Sequence, residues 1–396
     1  MDRQLRPHLP HPRRRCRSRR GDRATDQNPC FEERDVVTSE YDYDAVVIGG
    51  GQSGLAAAHH LTATGLNTAV LEASPQATGS WPRYYDSLTL FSPARYSALP
   101  GRRFPGDPDR YPRRDEVIDY LRSYAACLDA EIHTSTVVDS VASTGGEGFA
   151  VTTESGTVFT APRVIAATGS FGSPFLPAVP GRDEFGGRVL HASAYRHPAE
   201  FADQQVVVVG AGNSAVQIAA ELAEHAKVVL ASRAPVKFVP QRPLGRDMHF
   251  WFAITGFDSA PLGRIVKDAP TQPVFDAGRY RTAFAAGKPQ RREIFTAFTP
   301  EGVVWSDGSR APVDAVIFAT GYRPHLPYLA GTGALTESGV PRQRQGLSLT
   351  HPGLGFLGLE WQRTPSSNSL RGVGRDAAYL VRHLRPATAR RQEHAR

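Results

Sequence analysis

The sequence contains two glycine-rich turns, each lying between a strand pattern and a helical pattern. The first turn, 49–54 (GGGQSG), follows the strand pattern 44–48, and a second strand pattern ends at Glu72. In such a βαβ unit the glycines allow a tight turn and close approach to a pyrophosphate, which the helix N-terminus attracts. An acid at the second strand end suits a ribose hydroxyl. The predicted dinucleotide site comprises Gly49, Gly51, Gln52, Ser53, Gly54 and Glu72.

The second turn, 210–215 (GAGNSA), repeats this strand, turn, helix and strand pattern about one domain length later. Its second strand ends in Ser232 and Arg233 instead of an acid. A carboxylate would repel a 2′-phosphate, whereas these two side chains would attract it. We therefore expect FAD at the first turn and NADPH at the second, although Arg233 could instead be a solvated surface residue. The second site comprises Gly210, Gly212, Asn213, Ser214, Ala215, Ser232 and Arg233.

The repeated pattern predicts an α/β protein with two Rossmann-like dinucleotide-binding domains, the NADPH domain being inserted into the FAD domain. We assign 41–170 and 311–388 to the FAD domain and 171–310 to the NADPH domain. Two Ala-Thr-Gly triplets end strand patterns and mark where the chain leaves and re-enters the first domain. They contribute the site residues Thr168, Gly169, Thr320 and Gly321.

A last helix is expected from about Val373 to Leu384, after two glycines at 372 and 374. Its N-terminus could stabilise negative charge on a reduced flavin ring, which makes Gly372 and Val373 candidate cofactor residues. A capped helix that only docks on the domain explains the same residues equally well.

The net charge of +7 lies entirely in residues 1–23, which hold nine arginines and two aspartates. The remaining chain is formally neutral, so no basic face for nucleic acid is expected. Segment 1–40 is predicted to be a disordered, Arg-rich tail. A solvated or wrongly assigned N-terminal extension, a polyanion-binding arm and an organelle transit peptide all remain open explanations.

Membrane and metal sites are not indicated by the sequence. No apolar run reaches roughly 18 residues, so no membrane span is expected. The three cysteines form no CxxC pair and no metal-ligand spacing, and Cys127 is expected to be a small core residue. This cysteine usage is typical of a reducing cytoplasm, so a cytoplasmic location is expected.

Three segments carry a resemblance to a known family: 78–81 (TGSW), 185–195 (FGGRVLHASAY) and 318–322 (FATGY). With the two turns in the same order, residues 41–385 resemble the single-component, NADPH-dependent flavin-containing monooxygenases. The chain is most similar to small bacterial members known as cation-transport-associated flavoproteins or arsenic-operon monooxygenases. The resemblance implies that Ser80 and Trp81 lie near the flavin. It also implies that His191 and Tyr195 couple the domains and hold the nicotinamide cofactor; from the residues alone, His191 is more typical of a structural histidine.

The chain departs from this family at two positions. Many members carry Asn or His near the reactive edge of the flavin, where this chain has Phe91, followed by Ser92. Phenylalanine cannot donate a hydrogen bond. Tyr195 stands where the Baeyer–Villiger members have Trp, which disfavours ketone oxidation. No catalytic residue is assigned, and the candidates close to the flavin are Ser80, Trp81, Phe91 and Ser92.

The resemblance implies a monooxygenase in which NADPH reduces FAD and a flavin hydroperoxide gives one oxygen atom to a small soft nucleophile, containing nitrogen, sulfur or a metalloid. The partners are then a small-molecule substrate and O2, without nucleic acid. An NADPH-dependent reductase or oxidase and a non-catalytic redox-sensing flavoprotein are the alternatives. Segment 235–300 is expected to cover the substrate site or to form an ordinary core with its aromatic residues, Phe238, His249, Phe250, Trp251, Phe252 and Phe257.

Overall fold

The computed structural model describes residues 41–145, 148–266 and 273–386. The predictions for the Arg-rich segment 1–40 lie outside these residues. Among the described helices, none combines the length and apolar character needed to cross a bilayer.

The described chain combines α-helices with two sheets that contain parallel strands, so the predicted α/β class is confirmed. The strands are β1 Ala45–Ile48, β2 Thr68–Leu71, β3 Glu131–His133, β4 Val138–Ser143, β5 Phe149–Thr153, β6 Val158–Ala161, β7 Val164–Ala166, β8 Ser173–Pro174, β9 Arg188–His191, β10 Gln205–Val209, β11 Lys227–Ser232, β12 Phe238–Pro240, β13 Val274–Asp276, β14 Gln290–Glu293, β15 Ala297–Thr299, β16 Gly302–Val304, β17 Arg310–Pro312, β18 Ala315–Phe318, β19 Tyr322–Arg323, β20 Gln343–Arg344, β21 Leu347–Ser348 and β22 Leu354–Phe356. The helices are α1 Gln52–Ala63, α2 Arg114–Ala125, α3 Asn213–Leu222, α4 Met248–Thr255, α5 Arg279–Ala285 and α6 Leu370–His383.

The first sheet has the strand order β20-β21-β22-β7-β1-β2-β3. The five strands from β22 to β3 are parallel, and the two at the β20 edge are antiparallel. Strands β1, β2 and β7 are buried throughout, as expected for parallel strands covered on both faces. Helices α1, α2 and α6 contribute to the core on one face, and the antiparallel sheet β4-β5-β6 covers the other.

The second sheet is parallel throughout, with the order β14-β11-β10-β18-β9. Strand β18 lies beside β10, so the predicted domain boundary at residue 311 is wrong: Ala315–Phe318 belongs to the second sheet. Strand β9, near the start of the predicted NADPH domain, also pairs here. The second sheet interrupts the first along the chain, because β7 ends at Ala166 and β22, its neighbour in the first sheet, begins only at Leu354.

One residue of the loop after β2 reaches into the core of the second sheet. Tyr85 is 4% exposed, packs with the residues around β10 and α3, and donates a 2.6 Å hydrogen bond to Gln217 Oε1. Its ring lies 6.0 Å from that of Tyr195. The segment between β2 and α2, which follows a strand of the first sheet, therefore packs against the core of the second sheet through Tyr85.

Two further expectations differ from the structure. Cys127 is exposed, because helix α2 ends at Ala125 and the cysteine lies beyond its buried face. The last helix begins at Leu370, three residues earlier than expected, because Leu370, Val373, Ala377 and Leu380 form one buried stripe.

Candidate functional site

A cavity of about 1420 Å³ lies where the carboxyl ends of the two parallel sheets meet. Both glycine-rich turns line it, as do the strand ends of β2, β7, β11 and β18. Ligands of open α/β sheets bind at the carboxyl ends of the strands, so the position of this cavity is the one the topology favours.

The first turn presents Gly49, Gly51, Gln52 and Ser53 to the cavity. Gly49 has φ +105°, and a Cβ there would lie 3.0 Å from the carbonyl oxygen of Ala167. Gly54 does not line the cavity. A Cβ on Gly54 would lie 1.8 Å from the carbonyl oxygen of Gly49. Gly54 therefore supports the turn through close packing instead of facing a ligand.

Helix α1 begins at this turn without a side chain that caps its free N–H groups and without an acid in its first turn. Its positive end therefore opens on the cavity, a donor set that suits phosphate. Helix α3 begins at Gly212 in the same way. The residues present thus fit two pyrophosphate groups.

Glu72 is a buried carboxylate, 5% exposed, at the edge of the cavity. Its Oε2 accepts a 2.6 Å hydrogen bond from the Gly50 amide, and its Oε1 accepts from the amide and hydroxyl of Ser74. Because a carboxylate has about four acceptor positions, one remains for a ribose hydroxyl. Glu72 also fixes the shape of the turn, a role that the sequence motif does not indicate.

The second turn repeats the geometry of the first. Gly210 has φ +147°, and a Cβ there would lie 2.5 Å from the carbonyl oxygen of Ala319. A Cβ on Gly212 would meet no atom within 4 Å, so this glycine leaves open space in the cavity wall. Asn213, Ser214 and Ala215 also line the cavity.

Ser232 and Arg233 line the cavity at the end of β11, where Ser232 is buried and Arg233 exposed. The sequence gives no indication of their neighbour Arg291, which lies on β14. Its Nε donates to the Ser232 hydroxyl at 3.1 Å and its Nη2 to the Ser232 carbonyl oxygen at 3.0 Å. Two guanidinium groups therefore lie at this strand end.

Trp81 and Gln52 join the first turn to the segment that precedes the last helix. Its Nε1 donates to Gln52 Oε1 at 3.0 Å, and Gln52 Nε2 donates to the carbonyl oxygen of Asn368 at 2.7 Å. The adjacent Ser80 hydroxyl lies 3.4 Å from that of Tyr84. Both Ser80 and Trp81 line the cavity, as the resemblance implies.

A row of rings in edge contact crosses the cavity wall. Ring centroids lie 5.5 Å apart for Trp81 and Tyr84, 6.3 Å for Tyr84 and Phe171, 5.2 Å for Phe171 and Tyr322, and 4.7 Å for Tyr322 and His191. All five residues line the cavity. The row connects the first turn's surroundings with the second sheet. Sequence reasoning did not identify Tyr84 or Phe171, which belong to no motif.

The two Ala-Thr-Gly triplets lie against the two turns, and their residues Thr168, Gly169, Thr320 and Gly321 line the cavity. The Thr168 hydroxyl lies 3.1 Å from that of Tyr328, and the Thr320 hydroxyl donates to the carbonyl oxygen of Phe175. These bonds hold both triplets at the strand ends.

His191 is 5% exposed, and both of its ring nitrogens are hydrogen-bonded. Nδ1 accepts from the Ser193 amide at 3.1 Å, so Nε2 carries the proton and donates to the Gly321 carbonyl oxygen at 2.9 Å. Burial lowers the pKa of His191, and the bond to Gly321 opposes this shift only in part. The neutral ring connects β9 with the end of β18 at the cavity wall.

Besides Gly54, three candidates from the sequence do not reach the cavity. Tyr195 is fully buried in the core of the second sheet and donates to Glu221 Oε2 at 2.8 Å, so its predicted contact with a nicotinamide cofactor is wrong. Gly372 and Val373 lie within α6, one facing Ser366 and the other in the first core. Because α6 begins earlier than expected, Ser369, Leu370 and Arg371 line the cavity instead.

Phe91 and Ser92 line the cavity, and Phe91 also contacts segment 241–276. Its ring stacks on His249 at 6.0 Å and on Phe275 at 5.7 Å, and its carbonyl oxygen accepts from Gln241 Nε2 at 3.0 Å. The six aromatic residues expected over the substrate site do not line this cavity. From segment 235–300, the residues that line it are Pro235, Lys237 and Ile294. Of these residues, His249, Phe252 and Phe257 form a cluster of rings behind Phe91, whereas Phe238 packs on Phe284 and Phe250 on Trp251.

Asp247 is the polar centre of this cluster. It accepts hydrogen bonds from the Tyr111 hydroxyl at 2.5 Å, Gln241 Nε2 at 2.8 Å and both the amide and Nδ1 of His249 at 2.8 Å. Burial would raise the pKa of Asp247, but these donors outweigh it and the pKa is lowered. Sequence reasoning did not identify Asp247; the Asp-x-His spacing of residues 247 and 249 is the signal that could have indicated this pair.

Comparisons with known proteins agree with this geometry. The family model for pyridine nucleotide-disulphide oxidoreductases matches residues 46–243. A CzcO-like oxidoreductase of Geobacillus kaustophilus is 33% identical over 86% of this chain and 98% of that protein. A probable indole-3-pyruvate monooxygenase of Arabidopsis thaliana, YUCCA1, is 32% identical over 75% of this chain and 80% of that protein.

Among solved structures, a flavin-containing monooxygenase of Stenotrophomonas maltophilia is similar, with 32% identity and a TM-score of 0.77, over 88% of this chain and 98% of that chain. The expected oxidoreductase class and the expected cofactors, FAD and NADPH, are therefore confirmed. The chain belongs to the pyridine nucleotide-disulphide oxidoreductase family, among its CzcO-like and flavin monooxygenase members.

Proposed function

We propose that the protein is a NADPH-consuming, FAD-dependent monooxygenase that transfers one oxygen atom to a small soft nucleophile, with nitrogen, sulfur or a metalloid as the accepting atom. The observation that carries the proposal is the meeting of two uncapped helix N-termini, at Gly51 and Gly212, on one cavity. One pyrophosphate site would serve a flavin alone, whereas two on a shared cavity allow hydride transfer between two dinucleotides.

We assign FAD to the unit built on the first sheet and NADPH to the unit built on the second, which interrupts the first along the chain. The proposed FAD contacts are the first turn, Glu72, Trp81 and the first Ala-Thr-Gly triplet. Those for NADPH are the second turn, Ser232, Arg233 and Arg291, with His191 holding the second triplet. The second sheet runs from β9 to β18, so this inserted domain extends to Phe318.

FAD, once reduced by NADPH, supplies the oxygen activation that no side chain of the protein can provide. The chain's own residues bind, orient and exclude water. Trp81, Gln52 and the Asn368 carbonyl oxygen form a continuous hydrogen-bonded connection in the cavity wall. The row of rings from Trp81 to His191 gives one wall an apolar surface, which limits the water available to reactive species.

The test is the stoichiometry of the reaction with amine, thioether and arsenite substrates. A monooxygenase yields one equivalent of oxygenated product for each NADPH consumed, and labelled oxygen from O2 appears in the product. NADPH consumption that yields only hydrogen peroxide with every substrate class would contradict the proposal.

The second candidate function is a NADPH oxidase, and Phe91 is the observation that favours it. Its side chain lines the cavity but has no donor for a bound oxygen species. The residues that stack on the Phe91 ring, His249 and Phe275, are also aromatic. Full recovery of NADPH equivalents as hydrogen peroxide, unchanged by substrate, would identify this function.

A further inference from the structure

Helix α4 buries its one ionisable side chain, His249, and exposes apolar side chains. His249 is 1% exposed and faces Asp247, Phe91 and Phe275. On the outer side, Phe250, Ala253 and Ile254 follow the i, i+3, i+4 spacing of one helical face; Ala253 is exposed and Ile254 is 59% exposed. An exposed apolar face combined with a buried polar group is the reverse of an ordinary surface helix and indicates a binding surface.

The turn before α4 extends this face. Leu244 is 88% exposed, with φ +53°, at the tip of segment 242–246 (RPLGR). The turn and the helix are one surface, because Trp251 Nε1 donates to the Pro243 carbonyl oxygen at 3.1 Å and the Arg246 guanidinium lies 5.3 Å from the Phe250 ring centroid. We call Leu244, Phe250, Ala253 and Ile254, with Arg242 and Arg246, the α4 face.

Within segment 241–266, which includes the α4 face, every exposed charged side chain is positive. Its two acids, Asp247 and Asp258, have side chains only 10% exposed and are paired with His249 and Arg371 respectively. Arg242 and Arg246 are exposed on either side of Leu244. A highly exposed leucine between two arginines offers apolar insertion and phosphate contacts together.

We propose that the α4 face docks on a membrane surface that carries anionic lipid headgroups. Leu244 and Ile254 would enter the boundary between headgroups and acyl chains, while Arg242 and Arg246 contact lipid phosphates. A second copy of the chain fits less well. A twofold interface brings one patch against itself, so the arginines of both copies would face one another. The inference is independent of the reaction catalysed.

The experiment measures partition of the full-length protein onto vesicles by sedimentation. Vesicles of phosphatidylcholine with phosphatidylglycerol are compared with vesicles of phosphatidylcholine alone. The double variant Leu244→Ser/Ile254→Ser should bind the anionic vesicles about tenfold or more weakly, because two apolar side chains no longer insert. Arg242→Gln/Arg246→Gln should weaken binding to the anionic vesicles by a similar factor and so reduce the preference for phosphatidylglycerol.

The matched control is Val340→Ser/Leu349→Ser, which removes two exposed apolar residues, 53% and 68% exposed, outside the α4 face. It should bind as the unmodified chain does. The arginines of residues 1–23 are common to all variants, so comparison with the unmodified chain at one salt concentration isolates the effect of the substituted residues. Equal binding of the unmodified chain and the Leu244/Ile254 variant would overturn the proposal. So would a dimer, seen by light scattering, that the same two substitutions dissociate.

Discussion

Arg291 donates two hydrogen bonds to Ser232, one to its hydroxyl and one to its carbonyl oxygen. The strand pairing of β11 with β14 places this second arginine beside Arg233, at the strand end proposed for the 2′-phosphate. Specificity for NADPH would then depend on two cations, of which the sequence motif indicates one.

We therefore expect Arg233→Ala to raise the KM for NADPH about 10- to 100-fold with little effect on NADH, since a charge-assisted hydrogen bond contributes about 1.5–3 kcal/mol. Arg291→Ala should act in the same direction. Steady-state kinetics with both nucleotides check this. The control is Arg292→Ala on the same strand, whose side chain pairs with Asp307 at 2.8 Å. An unchanged ratio of NADPH to NADH use in Arg233→Ala would remove that residue from the site.

Gly51→Val should give protein without FAD. The valine would occupy the approach to the pyrophosphate, and its Cβ would lie only 3.3 Å from Gly79 Cα. Gly212→Val, where the space is open, should retain FAD and lose reduction by NADPH. Flavin absorbance and anaerobic reduction separate the two outcomes. Gly331→Val is the control, since no atom lies within 4 Å of its Cβ position either. A fully flavinated Gly51→Val variant would refute the FAD assignment.

The lowered pKa of His191 predicts how stability depends on pH. Because the folded form binds the proton less readily than the unfolded form, the contribution of His191 is complete above pH about 6.5 and is lost as pH falls below that value. Burial also lowers the pKa of the partly buried His60 and His351, which act in the same direction. His191→Gln should therefore make the fall in Tm below pH 6.5 shallower. The exposed His225 serves as control, since His225→Gln should leave the slope unchanged.

Asp247→Asn should destabilise the protein by about 1–3 kcal/mol, because buried donors from Tyr111, Gln241 and His249 lose a charged acceptor. Urea unfolding provides the measurement. Asp109→Asn is the comparison: its partner Arg95 is a surface residue, and an exposed pair contributes at most about 1 kcal/mol. Equal losses of unfolding free energy for the two substitutions would mean that the hydrogen bonds to Asp247 stabilise the protein no more than an exposed ion pair does.

The sequence predicted the features that depend on neighbouring residues. Both glycine turns, their flanking strands and helices, and Glu72 follow from patterns within about 30 residues. These sequence patterns did not predict contacts between segments that are far apart in the chain. Arg291 is 59 residues from Ser232, and β18 joins a strand more than 100 residues earlier. Tyr195 matched a motif, yet its direction depends on packing against Phe201 and the second core.

The insertion of Tyr85 into the second core limits how the enzyme can move. Any rotation that parts the two sheets must first withdraw a phenol ring from an apolar interior and break its bond to Gln217. Exchange of the nicotinamide nucleotide is therefore expected to proceed through local rearrangement at the cavity mouth. The two sheets would keep their contact through Tyr85 throughout turnover.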